Sequence, residues 1–268
     1  VASKATKSSH KLPKVLSAFG NKCQQEEKWL MVRPQQIAPP QGWREAVVLE
    51  DGFLAAAPHL NCWNGQLLAD WTAENPWLRR AYAKPQPLAI EFCSGNGAWI
   101  TERAQTESSY NWLAVERRFD RARKIQSKRY NHNIPNLAVA WGNAEHIVQH
   151  LIEEGSVQRI FINFPDPWPK KRHHSRRLLL PPFINQLARI MAPHGELCFV
   201  TDDCDFAIDT QALIDQDHHF ENLYADGFVN HIENYGSSTF EELWRSKGKQ
   251  IRFHRWMRSQ QRWQESHL

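Results

Sequence analysis

From residue 88 onward, short apolar runs alternate with amphipathic stretches. Leu88-Ala89-Ile90-Glu91-Phe92-Cys93, Trp112-Leu113-Ala114-Val115-Glu116, Leu137-Ala138-Val139-Ala140-Trp141 and Arg159-Ile160-Phe161-Ile162 are too short for helices and predict buried strands. Glu196-Leu197-Cys198-Phe199-Val200 predicts a fifth strand, entered through a turn at Pro193-His194-Gly195. Phe220–Leu223 and Ile251–Phe253 are two later candidates. Between the runs lie predicted helices: one after Gly97, one over Phe119–Tyr130 with Phe119, Ala122 and Ile125 on one side, one over Ala144–Glu154, one over Leu180–Met191 behind Pro181-Pro182, and one after Asp203. This alternation predicts an α/β fold with a doubly wound, mostly parallel, Rossmann-like sheet.

The N-terminal third does not follow this rhythm. Residues 1–35 are polar and Lys-rich without a period, which predicts a disordered basic extension. Residues 36–85 carry Trp43, Trp63, Trp71 and Trp77 among scattered apolar positions, enough to pack but not to name a fold. Lys84-Pro85-Gln86-Pro87 reads as the boundary to a domain over 86–268.

Composition narrows the class. No apolar run approaches eighteen residues, so no membrane span is expected, and Val15–Phe19 is too short for a signal-peptide core. The formal net charge is only +4, so local clustering of charge matters more than its sum. Five cysteines, none in a Cys-x-x-Cys pair, argue against both a zinc site and a disulfide framework and suit a reducing cytoplasm. No metal is expected.

Candidate chemistry gathers after the strands. Asn163-Phe164-Pro165-Asp166-Pro167-Trp168-Pro169-Lys170-Lys171-Arg172-His173-His174 follows the Ile160 run, where open α/β sheets bind ligands. Its three alternate prolines forbid helix and central strand, so a carboxylate and an indole stand on a stiff loop. Lys170, Lys171, Arg172, Arg176 and Arg177 form a cationic strip beside that carboxylate, which points to chemistry on a nucleic acid; a solvated basic turn is the plain alternative. Ser94-Gly95-Asn96-Gly97 gives the first turn two glycines but not a full dinucleotide fingerprint. Glu116 at the tip of the next strand suits two ribose hydroxyls. A ligand with a ribose but no pyrophosphate fits this better, as S-adenosylmethionine does. Glu91, inside the first strand, would be costly if buried unpaired. It reads as a carboxylate facing the cationic amino-acid end of that cofactor, against a solvent-facing or Arg-paired alternative.

On these residues the chain resembles the bacterial tRNA (guanine-N7)-methyltransferases over about residues 86–256. The matching stretches are Glu91–Gly97, Val115-Glu116, Gly142-Asn143-Ala144, Asn163–His174, Val200-Thr201-Asp202 and Ser238-Thr239-Phe240-Glu241. The resemblance implies a class I methyltransferase fold with an N-terminal extension. It implies methyl transfer from S-adenosylmethionine to N7 of a guanosine in the tRNA variable loop. It implies Asp166 as the catalytic residue, and Glu91, Gly95, Gly97, Glu116, Asn143 and Asp166 around the cofactor. Lys170, Asp202, Ser238, Thr239, Phe240 and Glu241 are implied around the substrate base, with Lys171, Arg172, Arg176 and Arg177 along the tRNA backbone. Cys93, Asn143 and Ser238 depart from the family pattern, and residues 1–80 do not match it. A non-catalytic RNA-binding relative and an NAD-dependent oxidoreductase are the competing readings.

Overall fold

A computed structural model describes residues 31–37, 47–50, 52–55, 81–236 and 238–259. Residues 1–30 of the expected basic extension, and Trp43, Trp63, Trp71 and Trp77, lie outside the described residues.

Among the described residues the sheet has nine strands: β1 (Val47–Glu50), β2 (Phe53–Ala55), β3 (Leu88–Phe92), β4 (Asn111–Glu116), β5 (Leu137–Trp141), β6 (Val157–Asn163), β7 (Met191–Thr201), β8 (Phe220–Asn222) and β9 (Arg252–Arg258), in spatial order β1-β2-β5-β4-β3-β6-β7-β9-β8. β5, β4, β3, β6 and β7 run parallel to one another. β9 runs antiparallel to β7 and β8. The chain winds outward from β3 through β4 to β5, returns, and winds the other way through β6 to β7. The reversal falls between β3 and β6, where a doubly wound sheet opens its ligand crevice.

Helices α1 (Ala98–Thr106), α2 (Phe119–Asn131), α3 (Ala144–Leu151), α4 (Pro181–Ile190), α5 (Cys204–Asp215) and α6 (Thr239–Ser246) connect the strands. Strands β3, β4 and β5 are buried along their whole length, as expected of parallel strands covered on both faces. One apolar layer joins Ile90, Phe92 and Leu113 to Phe183, Leu187 and Phe206; the other joins Trp99, Trp112, Ala114 and Ile125.

Three boundaries differ from the sequence reading. β7 begins at Met191 rather than Glu196: Met191 pairs with Val157, the register then slips, and Glu196 pairs with Arg159. The expected turn is present as a bulge within the strand, with His194 at φ 60°. α3 ends at Leu151 because Ile152 is extended. The Arg189 guanidinium donates to the Val148 and Ile152 carbonyls, at 2.6 and 3.2 Å, replacing the last helical donors. β2 joins the parallel sheet beside β5, so residues before the expected boundary extend the sheet.

Candidate active site

The C-terminal ends of β3 and β6 carry the first pair of polar groups. Glu91 is 2% exposed. Its Oε1 accepts from Asn163 Nδ2 at 2.8 Å across the switch point. Its Oε2 is buried with no hydrogen-bond partner among the described residues. Burial pushes the Glu91 carboxyl up to about 7; the Asn163 amide and the nearby Ser94 hydroxyl pull it down, and the Glu116 carboxylate adds to the rise. An orphaned acidic oxygen in a ligand crevice is an acceptor awaiting a donor.

The turn after β3 is built for close approach. Gly97 has φ 72°, and a Cβ there would lie 2.7 Å from Ile125 Cγ1. Gly95 has φ 57°, and the Phe240 ring lies over it at 3.6 Å from a would-be Cβ. Glu116 latches the turn: Oε2 accepts from Gly95 N–H and Oε1 from Arg118 N–H, both at 2.8 Å. Each oxygen keeps a further lone pair for ribose hydroxyls. Glu116 is buried, which raises its pKa against the pull of those two N–H donors. The orphaned Glu91 oxygen, the tethered Glu116 carboxylate and the glycine clearance fit a cofactor with one cationic end and one ribose.

The loop after β6 carries Asp166. Phe164 and Trp168 take left-handed backbone, at φ 48° and 46°. Asp166 is exposed between them. Its carboxylate is near enough to the glycine turn to disfavour ionisation of the Cys93 thiol. Residues Lys171–Arg176 form a short 3-10 turn. Lys170, Lys171, Arg172 and Arg176 are exposed, with the Arg176 guanidinium 5.1 Å from the centre of the Trp168 ring. Arg177 differs. Its side chain is 5% exposed and donates to Pro167 O at 2.8 Å and to Asp209 Oδ2 at 2.7 Å. It also lies over the Phe206 ring. The structure makes Arg177 the brace of the Pro-rich loop, not a member of the exposed cationic strip.

Three comparisons bear on this arrangement. A family model described as "Putative methyltransferase" matches residues 85–253. The tRNA (guanine-N(7)-)-methyltransferase of Chlamydia felis is 36% identical over 221 residues, 82% of this chain and 95% of that protein. The corresponding protein of Chlamydia muridarum is 41% identical over 177 residues, 66% of this chain and 78% of its own length. The chain belongs to the tRNA (guanine-N(7)-)-methyltransferase family. Among solved structures, the 16S rRNA methyltransferase KamB matches with a TM-score of 0.50 at 13% identity, over 69% of this chain and 94% of that one, and this likeness speaks to the fold alone.

Within this tRNA (guanine-N(7)-)-methyltransferase family member, the motif Ser238–Glu241 sits at the start of α6, over the glycine turn. Thr239 Oγ1 is 3.5 Å from Asn96 Nδ2, and Phe240 covers Gly95. Ser238 and Glu241 have structural duties. Ser238 Oγ caps α6 by accepting from Glu241 N–H at 3.0 Å, and the buried Glu241 carboxylate accepts from Arg245 Nε at 2.8 Å. A Ser-x-x-Glu cap is a sequence signature of a helix start, and it was there to be read. Asn143 likewise caps α3, accepting from Glu145 N–H at 2.8 Å. Asp202 is half-buried and pairs with Lys249 Nζ at 3.4 Å. Cys93, where the family pattern has glycine, holds φ 61°. The turn keeps its shape at the strain cost of a left-handed non-glycine residue. Sequence reasoning passed over Tyr235, whose hydroxyl donates to Asn163 Oδ1 at 2.6 Å, and Lys249; no local pattern marks either.

Proposed function

We infer that this protein transfers a methyl group from S-adenosylmethionine to N7 of a guanosine in tRNA, and that the guanosine lies in the variable loop. The observation that carries the reading is the meeting of three features at the β3/β6 switch point. They are an acidic oxygen with no partner on Glu91, a glycine turn tethered to Glu116, and an exposed Asp166 bordered by Lys170, Lys171 and Arg172. When bound, S-adenosylmethionine supplies a methyl group on a cationic sulfur.

The residues have a positioning task. Guanine N7 has a lone pair and no proton, so no general base is required. In-line alignment and exclusion of water supply several kcal/mol, up to roughly 7–11 in favourable cases. Glu91 Oε2 is the acceptor for the cofactor's ammonium end. Glu116 uses its remaining lone pairs on the ribose, and the Asn143 amide faces the adenine. Asp166 is the catalytic residue. As an acceptor it suits guanine's N1–H and N2–H₂ donors, and its charge favours a base that becomes cationic. Asp202, released from Lys249, is the second acceptor for the base, with Lys170, Thr239 and Phe240 around it. Lys171, Arg172 and Arg176 track phosphate, which gives affinity without sequence reading. The target base leaves its tertiary stack to reach this cleft.

No helix among the described residues is long and apolar enough to cross a membrane. Cys93, Cys198 and Cys204 are free thiols, which suits a cytoplasmic setting. The orphaned Glu91 oxygen also favours this reading over a pyrophosphate-bearing dinucleotide. The deciding experiment supplies labelled S-adenosylmethionine and unmodified tRNA, then cleaves chemically at 7-methylguanosine. Cleavage in the variable loop is expected. Methylation only at N1 or N2, or no methylation despite cofactor binding, refutes the proposal.

A further inference from the structure

A chain of buried donors runs toward Glu91 from the side of the molecule that carries the substrate motif. The Cys198 thiol on β7 donates to Tyr235 Oη at 3.6 Å. The Tyr235 hydroxyl donates to Asn163 Oδ1 at 2.6 Å, and Asn163 Nδ2 donates to Glu91 Oε1 at 2.8 Å. Every link points the same way. The phenol is locked in place: its backbone carbonyl accepts from Trp99 Nε1 at 2.8 Å, and its ring meets Phe253 edge-on at 5.1 Å. Tyr235 stands three residues before Ser238, the cap of α6.

The direction of the chain favours one protonation state. An amide can face Glu91 with its NH₂ or with its oxygen. With NH₂ toward Glu91, the carboxyl is the acceptor, a role that favours its charged form. The amide oxygen is then turned to Tyr235 and needs a donor there. With the amide reversed, Glu91 must hold a proton to donate, and Tyr235 must accept. The phenol hydroxyl thus decides between two complete hydrogen-bond patterns. We propose that Tyr235 is a positioning residue: by donating to Asn163 it holds the amide so that Glu91 meets the cationic end of the cofactor as an anion. The proposal rests on the cofactor reading above.

The surroundings otherwise oppose that anion. Glu91 is enclosed by Ser94 on its own turn, Glu116 from β4 and Asn163 from β6. Cys93 lies close by, within reach of the Asp166 carboxylate. Tyr235 is faced by Cys198 from β7 and Glu241 from α6. All the titratable groups named are acidic, so without the Tyr235 hydrogen bond Glu91 keeps its proton to higher pH.

Two readouts test this. The first needs no cofactor. The infrared C=O band of protonated Glu91, assigned by its loss in Glu91→Gln, is titrated in wild type and in Tyr235→Phe. The midpoint is expected to rise by about one pH unit in Tyr235→Phe, a tenfold change in proton affinity. Asn163→Leu, which removes the other donor, should move it in the same direction. An unchanged midpoint in both variants overturns the proposal. The second readout is calorimetric binding of S-adenosylmethionine from pH 6 to 9. With midpoints near 7 and 8, Tyr235→Phe should bind about fivefold more weakly at pH 7 and match wild type near pH 9. The cofactor's own amine titrates alike in both proteins and cancels in the ratio. Equal weakening at every pH would mean lost packing and overturn the positioning role. If the infrared shift appears but wild type does not bind S-adenosylmethionine, the relay stands and the methyltransferase reading falls.

Discussion

The two glycines of the turn after β3 allow a test in which one methyl group has two different consequences. Both hold left-handed backbone, φ 57° at Gly95 and 72° at Gly97. An alanine at either position therefore carries roughly 1–2 kcal/mol of backbone strain. The spaces they face differ. At Gly95 the new Cβ meets only Phe240 Cε2 at 3.6 Å, an ordinary contact. At Gly97 it meets Ile125 Cγ1 at 2.7 Å, Cγ2 at 3.1 Å and Cβ at 3.2 Å, and Ile125 is fully buried in α2. A buried β-branched side chain cannot swing away, so overpacking adds about 1–3 kcal/mol. Gly97→Ala is thus expected to cost about 2–5 kcal/mol, against about 1–2 for Gly95→Ala. Urea unfolding without cofactor measures both. The cause is isolated on an Ile125→Ala background, where the overlap with both Cγ atoms is gone. There the cost of Gly97→Ala should fall toward that of Gly95→Ala, a non-additivity expected of contacting residues. Equal costs for the two alanines in the wild-type background, or full additivity with Ile125→Ala, would refute the claim that helix packing demands the second glycine.

Asp166→Asn should fold normally and lose about a hundredfold or more in kcat, since it opposes guanine's donors with a donor and removes a negative charge; raising the pH should not rescue it, and near-normal kcat at saturation would shift the role to Asp202. Binding of tRNA should weaken with salt at a log–log slope of roughly −3 to −5, and Lys171→Ala with Arg172→Ala should flatten it by about one to two units. Arg177→Ala should leave that slope unchanged and instead lower stability, because Arg177 is buried against Pro167 and Asp209. Glu116→Ala should raise the dissociation constant for S-adenosylmethionine while sparing tRNA affinity, with hydrogen bonds to a charged group worth about 1.5–3 kcal/mol; a loss confined to tRNA would remove it from the cofactor site. Stability against pH should show two opposing contributions. Glu91, raised to about 7, adds stability that is complete below its unfolded value and lost as pH rises through 7. His254, sealed between Phe199 and Trp256 and held by burial down to about 4, adds stability that is complete above its unfolded value and lost as pH falls through 4. Each is worth about 3 kcal/mol at most. Glu91→Gln should therefore steepen acid destabilisation between about pH 6.5 and 4, and His254→Phe should expose a loss of stability as pH rises toward 7; slopes of the opposite sign in urea titrations would refute both assignments.

What the sequence made legible was set by locality. The parallel strands could be read because burial on both faces leaves unbroken apolar runs. The Pro-rich loop could be read because proline excludes the alternatives without outside help. The positions of Glu91, Gly97 and Glu116 were legible because they stand at fixed offsets from strand ends. What could not be read depends on partners far along the chain. Arg177 looks like one more cation in a cationic strip until Asp209, 32 residues on, and the Pro167 carbonyl take up its donors. Tyr235 reaches Asn163 across 72 residues. The end of α3 is set by Arg189, which donates to carbonyls 37 and 41 residues earlier. Ser238 and Glu241 are the exception, a local capping signature hidden by a motif that invited a functional reading first.

The strained backbone at the ends of β3 and β6 is best understood together with the tethers around it. Cys93, Phe164 and Trp168 hold left-handed conformations, and residues in such regions cost of order 1–3 kcal/mol each unless their surroundings over-determine them. Here the surroundings do so. Ser94 N–H donates to Val115 O at 3.3 Å, Gly97 N–H to Ser94 O at 2.8 Å, and Gly95 N–H to Glu116. Phe164 N–H donates to Val200 O at 2.9 Å on the neighbouring strand. Arg177 holds the Pro167 carbonyl, one residue before the Trp168 kink. Asp166 has no ion pair of its own among the described residues, yet it stands between two fixed kinks. Its place on the loop is therefore a property of the backbone, not of a side-chain partner that substrate would have to displace. A reaction that needs no proton removed depends on where groups stand. In this protein the buried contacts that resist unfolding also supply that placement.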